Sequence, residues 1–529
     1  MKRCLFSEGM MRWVLVPLVL TLSAAVRAQD YAYVTNTGAI TITGYTGSGG
    51  DVTIPDTIDG LPVTSIGDSV FLFRSSLTSV TMPNSVTNIG RAAFSECTNL
   101  TSITLPTNVT TIGDLAFTDC KLSNVTIPDG VTNIGLGTFG GCIALTNITI
   151  PTNVTSIGES AFENCAGLPS ITIPNSVTDI GYDAFYSCTS LMNVTIPNSV
   201  TSMGNWAFGI CTSLTSAAIG NSVTNIGFDA FFGCTSLTAI SVDTLNPVYS
   251  SVVGVLFDKR QTTLIQCPGG KVGVYTIPNS VTSMDDYAFS GCTRLTSLTI
   301  PGSLTNIGRY AFWYCSSLIT ITVDALNPEY RSVDGVLFNT SQTTLITYPG
   351  GKAGTYAIPE QVTDIGPGAF ATCANLNSVT IPNSVANIGN YAFAGCAGLT
   401  NVAILNGVTS IGNDTFSGCA SLTSVTIPNT VTNIGIMSFY YCSKLKGVYF
   451  NGNAPGVGSG AFSGDANATV YYLPGTTGWG PTFAGLPAVP WNPQVQTIGV
   501  QMNQFAFTIT GSSNLVVVVE ACGNLASPV

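Results

Sequence analysis

Histidine does not occur in this chain. Its absence removes the side chain that most often acts as a general base near neutral pH, and with it a favoured ligand of zinc. Charge is scarce too: Asp, Glu, Lys and Arg make up 8% of the residues, against 45% that are apolar. What charge there is leans acidic, with 27 acidic and 16 basic residues and a formal net charge of −11. An acidic chain with no basic stripe repels a phosphate backbone, which argues against nucleic acid as a partner. No C-x-x-C cluster with companion Asp is present, and no nucleophile, base and acid stand together in a recognisable pattern. The sequence therefore predicts no catalytic residue, no cofactor and no metal. Long apolar runs are missing as well, since the most apolar one, residues 13–22, is too short to cross a bilayer as a helix.

Repetition is what the chain has in abundance. The stretch at 145–165, LTNITIPTNVTSIGESAFENC, recurs with small changes over residues 61–462. Aligned on the Phe of its A-F-x-x-C ending, fifteen copies run from Phe71 to Phe462; of the fourteen intervals eleven are 23 residues, one is 22 and two are 58. A period of this size marks a solenoid, whose coils bury their apolar sides only by stacking on one another. Within the copy, Leu145, Ile148 and Ile150 have the spacing of a short strand with alternate side chains inward, ended by Pro151. Val154 and Ile157 return to the core, Gly158 supplies a bend, and residues 159–165 fit one short helical turn with Phe162 and Cys165 on a shared face. The predicted fold is a repeat solenoid, mainly β with short helical turns.

The pattern L-x-x-[IV]-T-[IL]-P-x-x-V-T-x-[IM]-G-x-x-[AT]-F-x-x-C resembles the BspA-like, or treponemal-type, leucine-rich repeat of bacterial surface proteins, over about four fifths of the chain. It departs at the ends, where Arg74 and Asp465 stand in the Cys position, as terminal capping repeats do. The resemblance implies a secreted or cell-surface protein that binds other proteins in adhesion.

Residues 1–28 read as a secretory signal, with Lys2, Arg3 and Arg12 before the apolar run and Val26, Arg27 and Ala28 at the cleavage positions. After its removal 12 basic and 26 acidic residues remain, because the segment holds four of the 16 basic residues and one of the 27 acidic ones, and no membrane span is left. Residues 29–60, with strand-like 39–45 and 51–55, are expected to form an N-terminal β cap. Residues 61–464 form the solenoid. Residues 465–493, rich in Gly, Pro and Trp, suit a cap or linker, and 494–529, with strand-like 505–509 and 515–520, suit the start of a truncated C-terminal β-domain.

Two inserts, about 243–275 and 324–356, account for the long intervals and match each other 81 residues apart: Asn246-Pro247 with Asn327-Pro328, Val255-Leu256-Phe257 with Val336-Leu337-Phe338. Each reads as a β-hairpin bulging from the solenoid. Their Gly-Gly-Lys at 269–271 and 350–352 lacks the spacing of a phosphate-binding loop, and Val272 and Ala353 follow where Ser or Thr would be needed, so a tight turn is the better reading.

Of sixteen Cys, thirteen fall in one slot of the repeat, from Cys97 to Cys442. In an exported chain, disulfides between neighbours are one reading. A buried thiol acting as a small apolar filler beside Phe and Leu is the other, and the sequence favours it.

Strand positions that face outward are small and neutral, for example Ser102, Thr104, Asn124 and Thr126. Variety lies around the turn, where Tyr182, Tyr186, Trp206, Phe228 and Phe232 occupy three consecutive coils and Tyr310, Trp313 and Tyr314 another. These aromatics are the candidate partner-binding residues, for an extracellular or surface protein or, in the alternative, for a carbohydrate of the cell envelope.

Overall fold

The computed structural model describes residues 30–491, 494–501 and 504–510; the secretory segment expected at 1–28 and the strand-like stretch at 515–520 lie outside them. Most coils carry two short strands, and most of these pair in parallel with their counterparts one coil on. In one sheet Asn124, Val125 and Thr126 lie opposite Asn147, Ile148 and Thr149. In the other Ser156 and Ile157 lie opposite Asp179 and Ile180. Small β-branched residues suit both sheets: Ile and Val fill the inside, while Thr hydroxyls face out and donate to the carbonyl one coil back, as Thr155 does to Thr132 (3.2 Å) and Thr178 to Thr155 (3.2 Å). Gly158 is obligatory at the bend, because a Cβ there would stand 2.9 Å from the carbonyl carbon of Gly135 in the coil below.

The short helical turn expected at 159–165 is not helical. Ser160 and Asn164 take left-handed backbone angles (φ 51° and 56°), and the stretch folds as successive tight turns, with Glu163 N donating to Ser160 O (3.0 Å) and Cys165 N to Phe162 O (3.2 Å). A left-handed residue ends an α-helix, and here it also aims alternate N–H groups at the next coil. Ser160, Phe162 and Asn164 donate to the carbonyls of Tyr182, Ala184 and Tyr186 at 2.8, 2.8 and 2.7 Å. The arc is thus a third ladder running along the solenoid. Among the described residues there is no α-helix, and none that could cross a membrane.

Inside the arcs the Phe rings stack. From Phe71 to Phe231 successive centroids are 4.9 to 5.8 Å apart and nearly parallel. Each Cys of the repeat is buried and free, and where a plain coil precedes it its Sγ donates to the Phe carbonyl of that coil, as Cys165 does to Phe139 O (3.2 Å) and Cys188 to Phe162 O (3.2 Å); after the inserts Cys292 and Cys373 turn instead to Pro268 O (3.6 Å) and Tyr348 O (3.7 Å). That bond explains why the slot holds Cys rather than Ala: it needs a small apolar group that carries a donor. Burial pushes the thiols of Cys165 and Cys188 well above their ordinary range, which keeps them protonated and unreactive.

The inserts form the expected β-hairpins, Tyr249–Val252 with Val255–Asp258 and Tyr330–Val333 with Val336–Asn339, but their place differs from the expectation. They do not bulge outward. Strand Val255–Asp258 pairs antiparallel with Tyr249–Val252 on one side and Thr263–Gln266 on the other, and its Val255, Leu256 and Phe257 are fully buried. Leu256 joins the apolar core on its N-terminal side, whereas Val255 and Phe257 join the next section. Leu337, between Val336 and Phe338, repeats the arrangement. Each insert is therefore a septum within the core; three consecutive apolar residues have no other way to be buried on both faces of a strand. Asn246 fastens it. This fully buried amide donates to Gly220 O and Val223 O (both 2.9 Å) and accepts from the N–H groups of Val248 (2.9 Å) and Tyr249 (2.8 Å). Asn327 does the same in the second insert.

Beyond the last copy, strand Leu486–Pro490 continues the parallel ladder from Thr469–Tyr472. The stretch at 505–509 belongs to strand Gln504–Thr510, whose antiparallel partner is the upstream Gln494–Gln501.

Candidate functional site

The insert coil has no arc. After strand Thr263–Gln266 the chain passes through Cys267, Pro268, Gly269 and Gly270 to strand Gly273–Thr276. Gly269 and Gly270 lie flat on the preceding coil, where Cβ atoms would come 2.8 Å from Cys234 O and 2.7 Å from Leu237 O. The close approach is the reason for the glycine pair, and Lys271 ties the turn down by donating to Val253 O (2.9 Å). With one arc missing, the arcs on either side meet across the gap. A Cβ built on Gly291 would stand 3.5 Å from Gly233 N, although the two residues are 58 apart in the chain.

This meeting joins the two aromatic groups that the sequence separates. Tyr182 meets Trp206 (5.5 Å between centroids), Trp206 meets Phe228 (6.1 Å), and Phe228 meets Tyr287 across the gap (5.0 Å). Tyr287 touches Tyr310 (5.3 Å) and Trp313 (5.7 Å); Trp313 stacks on Tyr314 (5.6 Å), which reaches back to Phe232 (6.4 Å). The second insert is bridged likewise, Tyr310 meeting Tyr391 at 5.8 Å. Tyr287 and Tyr391 escaped the sequence reading. Their signal was present, since each immediately precedes Ala-Phe, as Trp206 and Tyr310 do. All four occupy the left-handed slot of the arc, with φ between 51° and 58°. Bulky side chains are uncommon there, and other coils place Gly137, Gly368 or Gly460 in the same slot.

The rings enclose a cleft of about 410 Å³ between Trp206, Phe232, Tyr287 and Trp313, which Tyr186 also lines. Tyr182, Phe228 and Tyr314 are exposed, and the other rings are half-buried. Their planes are mixed: Tyr182–Trp206, Trp206–Phe228 and Phe228–Tyr287 stand steeply at 70°, 67° and 86°, whereas Tyr287–Trp313 and Trp313–Tyr314 are close to parallel at 25° and 5°.

Two carboxylates share the cleft, Asp183 and Asp229. Burial, reinforced by Glu163 and Glu159, raises the Asp183 carboxyl to about 6 against an opposing hydrogen bond from Tyr182, and its Oδ1 is buried without a hydrogen-bond partner. Burial raises Asp229 to about 7 against the opposing hydrogen bond from Trp206 Nε1 (3.4 Å), with Asp286 adding to the rise. Trp313 Nε1 is also buried without a partner. A second hollow of about 340 Å³, floored by Ile265 and Gln266 of the insert, lies beside it and is lined by Asp229, Asp285 and Asp286. Among the described residues no group of His, Cys, Asp and Glu is arranged to hold a metal ion.

The strand face is less uniform than its sequence. Pro169 stands where most coils have Thr and removes a ladder donor, so residues 170–173 form no strand and a groove of about 760 Å³ opens there, lined by Thr172, Asn193, Asn198 and Asp243 among others.

Parallel ladders, stacked Phe and a 23-residue period define a leucine-rich-repeat solenoid. The chain belongs to the BspA type leucine rich repeat region family, whose pattern matches residues 64–191, 164–252, 271–352 and 351–469, more than half of its length. No curated protein matches the sequence. Among solved structures it is similar to a leucine rich cell surface protein from Faecalibacterium prausnitzii, at 27% identity over 84% of this chain and 94% of that one, with a TM-score of 0.39. The leucine-rich repeat protein TpLRR of T. pallidum is 32% identical over 40% of this chain and 89% of its own, with a TM-score of 0.31. The pneumococcal vaccine antigen PcpA is 16% identical over 85% and 93%, with a TM-score of 0.34.

Proposed function

We propose that this protein is an exported, non-catalytic recognition scaffold, held at the cell surface or secreted, that binds an extracellular or surface protein through the aromatic strip of its arcs. The observation that carries the reading is the strip itself. Exposed and half-buried rings run without a break from Tyr182 to Tyr391, while the arcs of Phe71 to Phe162 present Ala92, Leu115 and Ser160 in the corresponding slot. Clustered aromatic anchors around a cleft are the usual carriers of binding energy in protein recognition. From Tyr182 to Tyr287 the rings stand steeply to one another and offer no continuous flat face to a carbohydrate chain, the alternative reading; Tyr287, Trp313 and Tyr314 lie closer to parallel.

The test is an array of extracellular proteins and glycans probed with residues 29–529, followed by affinity measurement with Trp206→Ala, Phe232→Ala and Trp313→Ala. Each variant should weaken binding to a protein partner by more than ~1 kcal/mol. Unchanged affinity in all three would move the site to the strand-face groove at residues 170–173.

A further inference from the structure

We infer that the aromatic cleft receives a cationic side chain, an arginine or lysine of the partner, between the rings of Trp206, Phe232 and Trp313 and against the carboxylates of Asp183 and Asp229. This rests on the strip being the binding surface and goes further by naming the chemistry of the group that enters.

Three observations converge on it. Aromatic rings line a hollow of about 410 Å³, and aromatic faces carry negative potential that attracts an ammonium or guanidinium group, more strongly once water is excluded. The charge is also one-sided: the arcs that enclose the cleft and the adjoining hollow carry Asp183, Asp229, Asp285 and Asp286, and Arg309 is their only basic residue. Finally, the carboxyl oxygen Oδ1 of Asp183 is buried with no donor. A buried acceptor left in that state is costly, and a cation donating to it removes the cost. A neutral sugar hydroxyl could donate too, but only a cation also offsets the burial that disfavours the charged form of these carboxyls.

Partner identity is not needed for the test. The full chain is titrated with two capped tripeptides, one with a central arginine and one with citrulline, which has the same shape without the charge, and binding is read from tryptophan fluorescence. The arginine peptide should give a saturable change that Trp206→Phe or Trp313→Phe alters in size. The citrulline peptide should bind at least ~10-fold more weakly. The double variant Asp183→Asn/Asp229→Asn should bring the arginine peptide to the citrulline level without changing the melting temperature by more than a few degrees. Equal binding of both peptides, or no saturable response to arginine up to ~10 mM, overturns the inference. Neutral oligosaccharides run in parallel keep the two readings apart. If they alone bind, and Trp313→Ala abolishes that binding, the strip remains a recognition surface while the cationic occupant is wrong. If a partner found on the array binds independently of every ring, the strip itself is refuted, and this inference falls with it.

Discussion

Plain coils and insert coils solve the same stacking problem in opposite ways. A plain coil closes with an arc whose Phe lies on the Phe of its neighbours, as Phe162 does between Phe139 and Phe185 at 5.6 and 5.3 Å. An insert coil omits the arc and fills the interior with a strand buried on both faces. The Phe column breaks there, and so does the continuous apolar core. Plain coils are nearly uniform outside, with the ladder interrupted at Pro169 and a groove opening there. Insert coils leave a notch outside because the neighbouring arcs must lean together over a missing one, and the hollows lined by Tyr287 and by Tyr310 both sit at such notches. In this fold, surface individuality comes from interrupting the repeat rather than from varying it.

The sharpest way to break the comparison is to remove one core side chain from each kind of coil. Phe162→Ala should destabilise a plain coil by about 3–5 kcal/mol, as fully buried Phe truncations do. Leu256→Ala should cost about 2–5 kcal/mol in the septum, whereas a hairpin on the outside would lose less than about 1 kcal/mol; chemical denaturation of each variant decides between them. Asn246→Ala comes next. Its removal strands buried backbone groups of two coils, so a loss of about 2–3 kcal/mol is expected, with faster amide exchange at Val248 and Tyr249.

A smaller, pH-dependent effect should appear at the last copy, where Asp465 replaces the repeat Cys. Both of its oxygens are buried without partners, and burial raises its carboxyl to about 7. In the unfolded chain the same group titrates near ~4, so the folded state favours the proton. Its stabilising contribution is complete below about pH 4 and is lost as pH rises to about 7. Asp465→Asn should flatten that slope and raise the melting temperature at pH 8; an unchanged pH profile would show that the carboxylate is accommodated when charged. The smallest effect belongs to the thiol ladder. Cys165→Ala deletes the donor to Phe139 O and should cost about 1 kcal/mol. The native protein should resist alkylation, and after denaturation without reductant every ladder thiol should react; mutually linked, unreactive cysteines would reverse the assignment.

The 23-residue period fixed the coil, its two strands, the inward Phe and the buried Cys, because one coil's pattern repeated many times leaves a single way to bury those residues. Local turn chemistry was harder to read. Ser160 and Asn164 carry no obligatory sign of left-handed geometry, and only the hydrogen bonds to the next coil select it over a helix. The course of the inserts was hidden for a similar reason: Val255-Leu256-Phe257 is apolar on both faces, which a sequence cannot distinguish from an exposed hairpin with apolar residues. The cleft was least legible of all. Trp206 and Trp313 are 107 positions apart, and they line one hollow only because the chain between them is partly spent on a coil without an arc. Sequence by itself determined which residues each coil must bury; the tertiary stacking decided which exposed ones meet, because contacts across a missing arc depend on how neighbouring coils close and not on any spacing along the chain.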